Sequence, residues 1–233
     1  MRCTSRSCKS QIKNRQKAIL IIDDLFFKRF LFDPRCDYVL SKIQEKFNIP
    51  LNFISHRLHK SGITPTALSF LGLFFSLVSA LGYFHLHYNE LMKVIAISFL
   101  LLSGLCDALD GALARLYNLT TKFGGIIDST FDRLGEIAIF SALTIGEIVP
   151  VYIGVAAMAS SMMVSYIRSR AEIERIKMKG KGVAERPERL LILIGATIFN
   201  QLYLGLFLIT ILSSITILQR LWRVYSVCSR GSK

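Results

Sequence analysis

From Thr66 to Leu221 the chain is a succession of apolar stretches, most of them close to the length that crosses a bilayer. Six are read, at about 66–86, 91–117, 124–146, 151–170, 188–199 and 202–221. A hydrocarbon core about 30 Å thick takes roughly 20 residues of helix; the fifth stretch is short and the others reach that length. In lipid the backbone must satisfy its own donors and acceptors within the segment, so stretches of this kind fold as helices. The expected fold is an all-α integral membrane protein with six transmembrane helices. Composition agrees: 52% of the residues are hydrophobic and the mean hydropathy is +0.45, high for a soluble domain.

Charge then sets orientation. The formal net charge is +13, a balance that fits nucleic acid or an anionic lipid surface. With this hydropathy the lipid bilayer is the expected partner and nucleic acid is not. The connections HYNE, GEIVP and FNQ hold no Lys or Arg. The amino-terminal region, the turn around Lys122, the loop from Arg168 to Arg189 and the tail from Arg220 to Lys233 hold nearly all the positive charge. The positive-inside rule therefore puts both termini in the cytoplasm, with a multi-pass chain in the cell membrane.

Four regions follow. Residues 1–38 form a basic extension, disordered or interfacial. Residues 39–64 read as a juxtamembrane amphipathic helix, because Leu40, Ile43, Phe47, Leu51, Ile54 and Leu58 recur three or four apart among Lys42, Lys46, Arg57 and Lys60. Pro50 is expected to bend or break it. Residues 65–225 are the membrane domain, and 226–233 a basic tail. The five cysteines show no CxxC spacing and read as free thiols, not as a disulfide framework or zinc site.

The chemistry lies where the second and third apolar stretches meet. Asp107 and Asp110 are three apart near the end of one, and Asp128 and Asp132 are four apart near the start of the next. At those spacings each pair shares one helix face. The link YNLTTKF is short, so the helices run antiparallel and the acidic faces can meet at the cytoplasmic end. Facing carboxylates in a water-poor setting repel one another by several kcal/mol unless cations lie between them. Hard oxygen ligands in that arrangement point to divalent metal. Gly111 and Ala114 share the face of Asp107 and Asp110, and Gly124 shares that of Asp128 and Asp132, leaving room for a flat ligand close to the backbone. Arg115 suits a phosphate oxygen. An Asp–Arg tie between helices, with Arg115 or Arg133, would explain only part of this set.

The run Asp107-x2-Asp110-Gly111-x2-Ala114-Arg115-x8-Gly124-x3-Asp128-x3-Asp132 resembles the signature of the CDP-alcohol phosphatidyltransferase family. The likeness extends from about Leu40 to the sixth stretch. It implies six transmembrane helices after a juxtamembrane helix, assembled as a homodimer. It also implies that Asp107, Asp110, Asp128 and Asp132 hold Mg²⁺ or Mn²⁺, as two ions. Gly111, Ala114, Arg115 and Gly124 would receive the CDP of a lipid donor. Asp132 would be the catalytic base toward the acceptor hydroxyl. One position departs from the pattern: Thr66 follows Pro65 where family members often carry Asn.

A second run bears on the acceptor. Ser165-Tyr166-x-Arg168-x-Arg170-Ala171-Glu172, followed by Glu185-Arg186-Pro187-Glu188-Arg189, is similar to the branch that uses inositol 1-phosphate. That similarity implies that Arg168, Arg170 and Arg189 bind the acceptor phosphate, with Arg220 or Arg223 helping. Charge alone reads equally well as positive-inside topology. The expected activity is transfer of a lipid phosphoryl unit from CDP-diacylglycerol or CDP-archaeol to 1L-myo-inositol 1-phosphate, releasing CMP. Glycerol 3-phosphate, serine or another alcohol is the alternative acceptor. A metal-ion transporter is the alternative class, but it would spread acids through the membrane depth, whereas these cluster at one end.

Overall fold

Thr64 and Pro65 open the first membrane helix: the Thr64 hydroxyl accepts from the Ala67 amide, and proline fills a first-turn position where no amide partner is needed. Five more helices follow in the computed structural model, which describes residues 53–176, 178 and 182–231. They are α1 (Pro65–Phe84), α2 (Glu90–Leu116), α3 (Lys122–Ile145), α4 (Val151–Ile173), α5 (Arg186–Ile198) and α6 (Leu202–Gly231). Residues 53–60 are also helical. The extension 1–38, the amphipathic segment up to residue 52 with Pro50, and residues 232–233 lie outside the described residues.

The six apolar stretches and the six helices agree closely, with two differences. The expected tail is helical as far as residue 231, because α6 continues past the end of its apolar stretch. Four helices, α1, α2, α4 and α6, are long and apolar enough to cross a membrane. The other two are not, for different reasons. Helix α3 carries Asp128, Asp132, Arg133 and Glu136 within its length. Helix α5 has 13 residues, about 20 Å at 1.5 Å per residue.

Helix α1 packs against α2 and α3, α6 against α4 and α5, α3 against α4, and α2 against α5. Small residues set the approach. A side chain on Gly82 of α1 would put its Cβ 2.9 Å from the Ala96 amide of α2, and one on Gly135 of α3 would meet Ser76 of α1 at 2.7 Å. Where lipid is as apolar as the core, helices associate through such close contacts and through hydroxyl hydrogen bonds. Ser76 and Ser103 join at 2.6 Å, and Ser79 donates to the Ala96 carbonyl at 2.7 Å. All six helices contribute to one apolar core, among them Tyr83, Leu100, Leu143, Ala157, Leu193 and Leu206. It sits toward the end of the bundle where the short connections without Lys or Arg lie. Phe70, Phe74, Leu77 and Leu81 of α1 face outward, as expected of a lipid-facing surface.

At the opposite end, Leu58 and Ile63 pack beside Leu68, Leu109 and Leu113. His59 stacks on Tyr117 with ring centroids 3.8 Å apart. The described part of the amphipathic segment is thereby seated on the ends of α1 and α2.

Candidate functional site

The turn between α2 and α3 is what brings the acidic faces together. Helix α2 ends at Leu116 with Tyr117 as its C-cap, and Asn118 takes a left-handed φ of 53°, a conformation asparagine tolerates better than most residues. Thr121 then caps α3 by accepting from the Gly124 amide at 2.9 Å. The chain reverses within five residues, 117–121, and α2 and α3 run back antiparallel.

As a result Asp107, Asp110 and Asp128 each bring a carboxylate oxygen within 4.8 Å of the others. Asp110 is buried and accepts a 2.7 Å hydrogen bond from Ser69 of α1. Asp132, one turn beyond Asp128, lines the same recess. Ser69, Gly72, Ser76 and Ser103 form its small-residue wall. Arg186, from the first turn of α5, reaches Asp107 at 3.1 Å and also pairs with Asp132. Arg133 lies 3.9 Å from Asp132 and donates to the Ser129 carbonyl.

Two arginines, Arg186 and the more distant Arg133, cannot neutralise four carboxylates brought so close together. The three-oxygen cluster, half-buried around a buried Asp110 and made of hard donors, fits a divalent cation of the Mg²⁺ or Mn²⁺ kind.

The glycine face adjoins this cluster. The guanidinium of Arg115 lies over Gly111, 3.1 Å from where a Cβ would stand. Gly124 faces the hydroxyls of Thr121 and Thr66. Thr66, the position that departs from the family pattern, thus borders the glycine expected to receive CDP.

The arginines separate. Arg168, half-buried, donates Nε to Glu172 at 3.0 Å. Arg170 is exposed and pairs with Glu174 at 3.6 Å. Two residues apart on one helix, they point to different sides, so the structure does not bring them to one ligand. Arg189 is 3% exposed and bound to Glu136. Of the two arginines left open on the last helix, Arg220 is buried, donating to the Val164 carbonyl at 2.6 Å and to Glu185 at 3.0 Å, while Arg223 is exposed. Arg168 and Arg189 each lie near enough to Arg220 to repel its charge.

Three contributors were not singled out from sequence: Ser69, Glu136 and Arg186. For Glu136 the signal was present, since Asp128, Asp132 and Glu136 are spaced by four. For Arg186 it was Pro187, which marks a helix start and so places Arg186 in the first turn. For Ser69 only the packing of α1 on α2 reveals it.

The sequence model of CDP-alcohol phosphatidyltransferase matches residues 62–225, which contain every group just described. The chain belongs to this family. Among its relatives is the archaetidylinositol phosphate synthase of Pyrococcus horikoshii, 39% identical over 184 residues that cover 79% of this chain and 95% of that protein. The phosphatidylinositol phosphate synthase of Mycobacteroides abscessus is 30% identical over 197 residues, 78% of this chain and 86% of that one. Among solved structures, the phosphatidylinositol phosphate synthase of Mycobacterium tuberculosis with CDP-DAG bound aligns over 75% of this chain and 93% of its own, at 31% identity and a TM-score of 0.64. The same enzyme in complex with manganese and citrate aligns at 29% identity and TM-score 0.64, over 75% of this chain and 88% of its own. As a family member the chain is a membrane phosphatidyltransferase, and the acidic recess of α2 and α3 lies within the matched residues.

Proposed function

We propose that the protein transfers the lipid phosphoryl unit of CDP-diacylglycerol or CDP-archaeol to 1L-myo-inositol 1-phosphate, giving an inositol phosphate lipid and CMP. The observation that carries the reading is the juxtaposition of three carboxylate oxygens within 4.8 Å of one another with Arg186 at their rim. Relatives named for this activity support the acceptor.

In this reading Asp107, Asp110, Asp128 and Asp132 hold two Mg²⁺ or Mn²⁺ ions. When bound, the ions neutralise the donor diphosphate and stabilise CMP as it leaves. Ser69 fixes Asp110. Gly111, Ala114, Arg115 and Gly124 take the CDP, with Thr66 beside them. Asp132 accepts the proton of the inositol hydroxyl. The hydroxyl oxygen forms the new bond to the lipid-bearing phosphorus, and the bond from that phosphorus to CMP breaks. The acceptor phosphate meets Arg168 and Arg186 beside Arg220, where guanidinium groups offer paired donors. Arg170, exposed and paired with Glu174, and Arg189, buried against Glu136, are less suited to that role than the sequence alone implied.

We also propose six spans with both termini and the recess on the cytoplasmic side, and a homodimer in the cell membrane. The connections without Lys or Arg on one side and the basic ones on the other support that orientation. In α3 the acids face the protein interior, which lowers the cost of carrying their charges in a membrane-spanning helix.

The test is purified protein offered CDP-lipid, Mn²⁺ or Mg²⁺ and a panel of alcohols, with CMP release and lipid product measured. Inositol 1-phosphate should be used best. Preference for glycerol 3-phosphate or serine would overturn the acceptor assignment while leaving the family chemistry intact.

A further inference from the structure

Helix α5 is too short to fix its own position. Thirteen residues make a marginal helix, and its N-cap residue, Glu185, makes no side-chain capping bond. Yet its first turn must deliver Arg186 to carboxylates on two other helices. The restraint comes from outside.

On α3, Glu136 stands one turn beyond Asp132; on α5, Arg189 stands three residues beyond Arg186. The two helices therefore meet in successive rungs. The first is Arg186 with Asp132. The second is Arg189 with Glu136, bidentate, Nε at 2.6 Å and Nη2 at 2.9 Å. This second rung is buried, at 3% and 7% exposure. The third nitrogen of Arg189, Nη1, donates to the Ala184 carbonyl at 2.8 Å. Ala184 is held in turn by α6, its amide donating to the Thr216 hydroxyl at 3.0 Å, with the Val183 amide on the same oxygen at 3.2 Å. All three Arg189 nitrogens thus have protein partners, and they bind α3 to the chain entering α5.

A buried ion pair returns little net stability compared with two well-packed apolar side chains. What it does impose is register, since the fork of the guanidinium meets the carboxylate in one geometry. We propose that Glu136 and Arg189 are positioning residues for the transfer reaction, fixing the rotation and depth of α5 so that Arg186 stands against Asp107 and Asp132. This rests on the proposed function of the recess, and it assigns Arg189 a role through Arg186 in place of a direct hold on the acceptor phosphate.

The test is a mutant cycle. The double variant E136M/R189M removes both charges together and leaves none unpaired, so the fold is kept. Misplacing Arg186 by about 1 Å should cost roughly a hundredfold in acceptor kcat/KM, with donor KM little changed. Introduced into R186M, the same pair of changes should cost nothing further, because residues acting through one another are not additive. The single variant R189K, which keeps the charge and loses the fork, should show a smaller loss with the same non-additivity. Losses that multiply with R186M would mean that Arg189 acts on the acceptor itself and would overturn the proposal, as would full acceptor kcat/KM in E136M/R189M. A second readout needs no substrate. Spin labels at the exposed positions Leu134 and Leu191, on a cysteine-free chain, should give a narrow α3–α5 distance in the wild type and a broad one in E136M/R189M. An unchanged narrow distance would also overturn the positioning role. Wild-type protein that transfers nothing to inositol 1-phosphate would instead count against the proposed function, and the distance measurement would still judge the pair.

Discussion

Ser69 donates its hydroxyl to Asp110 across 2.7 Å, from α1 to α2, inside the bundle. That contact makes α1 part of the acidic recess although α1 carries no acid of its own. A hydrogen bond to a charged group contributes about 1.5–3 kcal/mol. Ser69→Ala should therefore weaken Mn²⁺ binding at least roughly tenfold, read by titration of free Mn²⁺ resonance, with secondary structure unchanged. Wild-type affinity in the variant would show that Asp110 holds its position unaided.

Asp132→Asn keeps the shape of the side chain and removes the proposed proton acceptor. Loss of a general base costs about 10²–10⁴-fold in rate. Transfer should fall by at least that much, measured as CMP release, while the melting temperature in detergent stays close to the wild type. Activity within tenfold of wild type would move the base elsewhere.

Arg168→Ala and Arg170→Ala should separate cleanly. The two residues point to different sides of α4, and Arg168 lies near enough to Arg220 to repel its charge. Arg168→Ala is expected to raise the acceptor KM about tenfold or more with little change in donor KM. Arg170→Ala, whose partner Glu174 is exposed, should leave both nearly unchanged, since exposed pairs contribute 1 kcal/mol or less. The reverse order of effects would refute the geometry of the basic cluster.

Gly135→Ala tests the crossing of α1 and α3. The added carbon would lie 2.7 Å from both Cβ and Oγ of Ser76, and overpacking of this kind costs about 1–3 kcal/mol. The melting temperature should fall. Adding Ser76→Gly removes the opposing atoms and should recover most of the loss. Because the two helices hold Ser69, Asp128 and Asp132, metal affinity should fall and recover in parallel.

Much of this was legible along the chain. Pro65, the short polar connections and the apolar stretches located all six helices to within a few residues at most ends, because hydropathy and helix breakers act locally. The exception, the end of α6, arises because a helix can outrun its apolar stretch when its last turns leave the membrane. The spacing of Asp107, Asp110, Asp128 and Asp132 was enough to place two acids on each of two faces, and the short link between them made those faces meet.

The amino-acid sequence by itself determined the family, the helical membrane fold and the acidic chemistry, since each depends on the order of residues within one helix or across one tight turn. Only the tertiary structure decided which arginine faces which acid. Arg186, Arg189 and Arg220 look alike as charges near a basic loop. One stands on the aspartates, one is buried against Glu136, and one is bound to Val164 and Glu185. Those assignments depend on how α3, α4, α5 and α6 rotate against one another, and local spacing carries no information about the rotation of one helix relative to another.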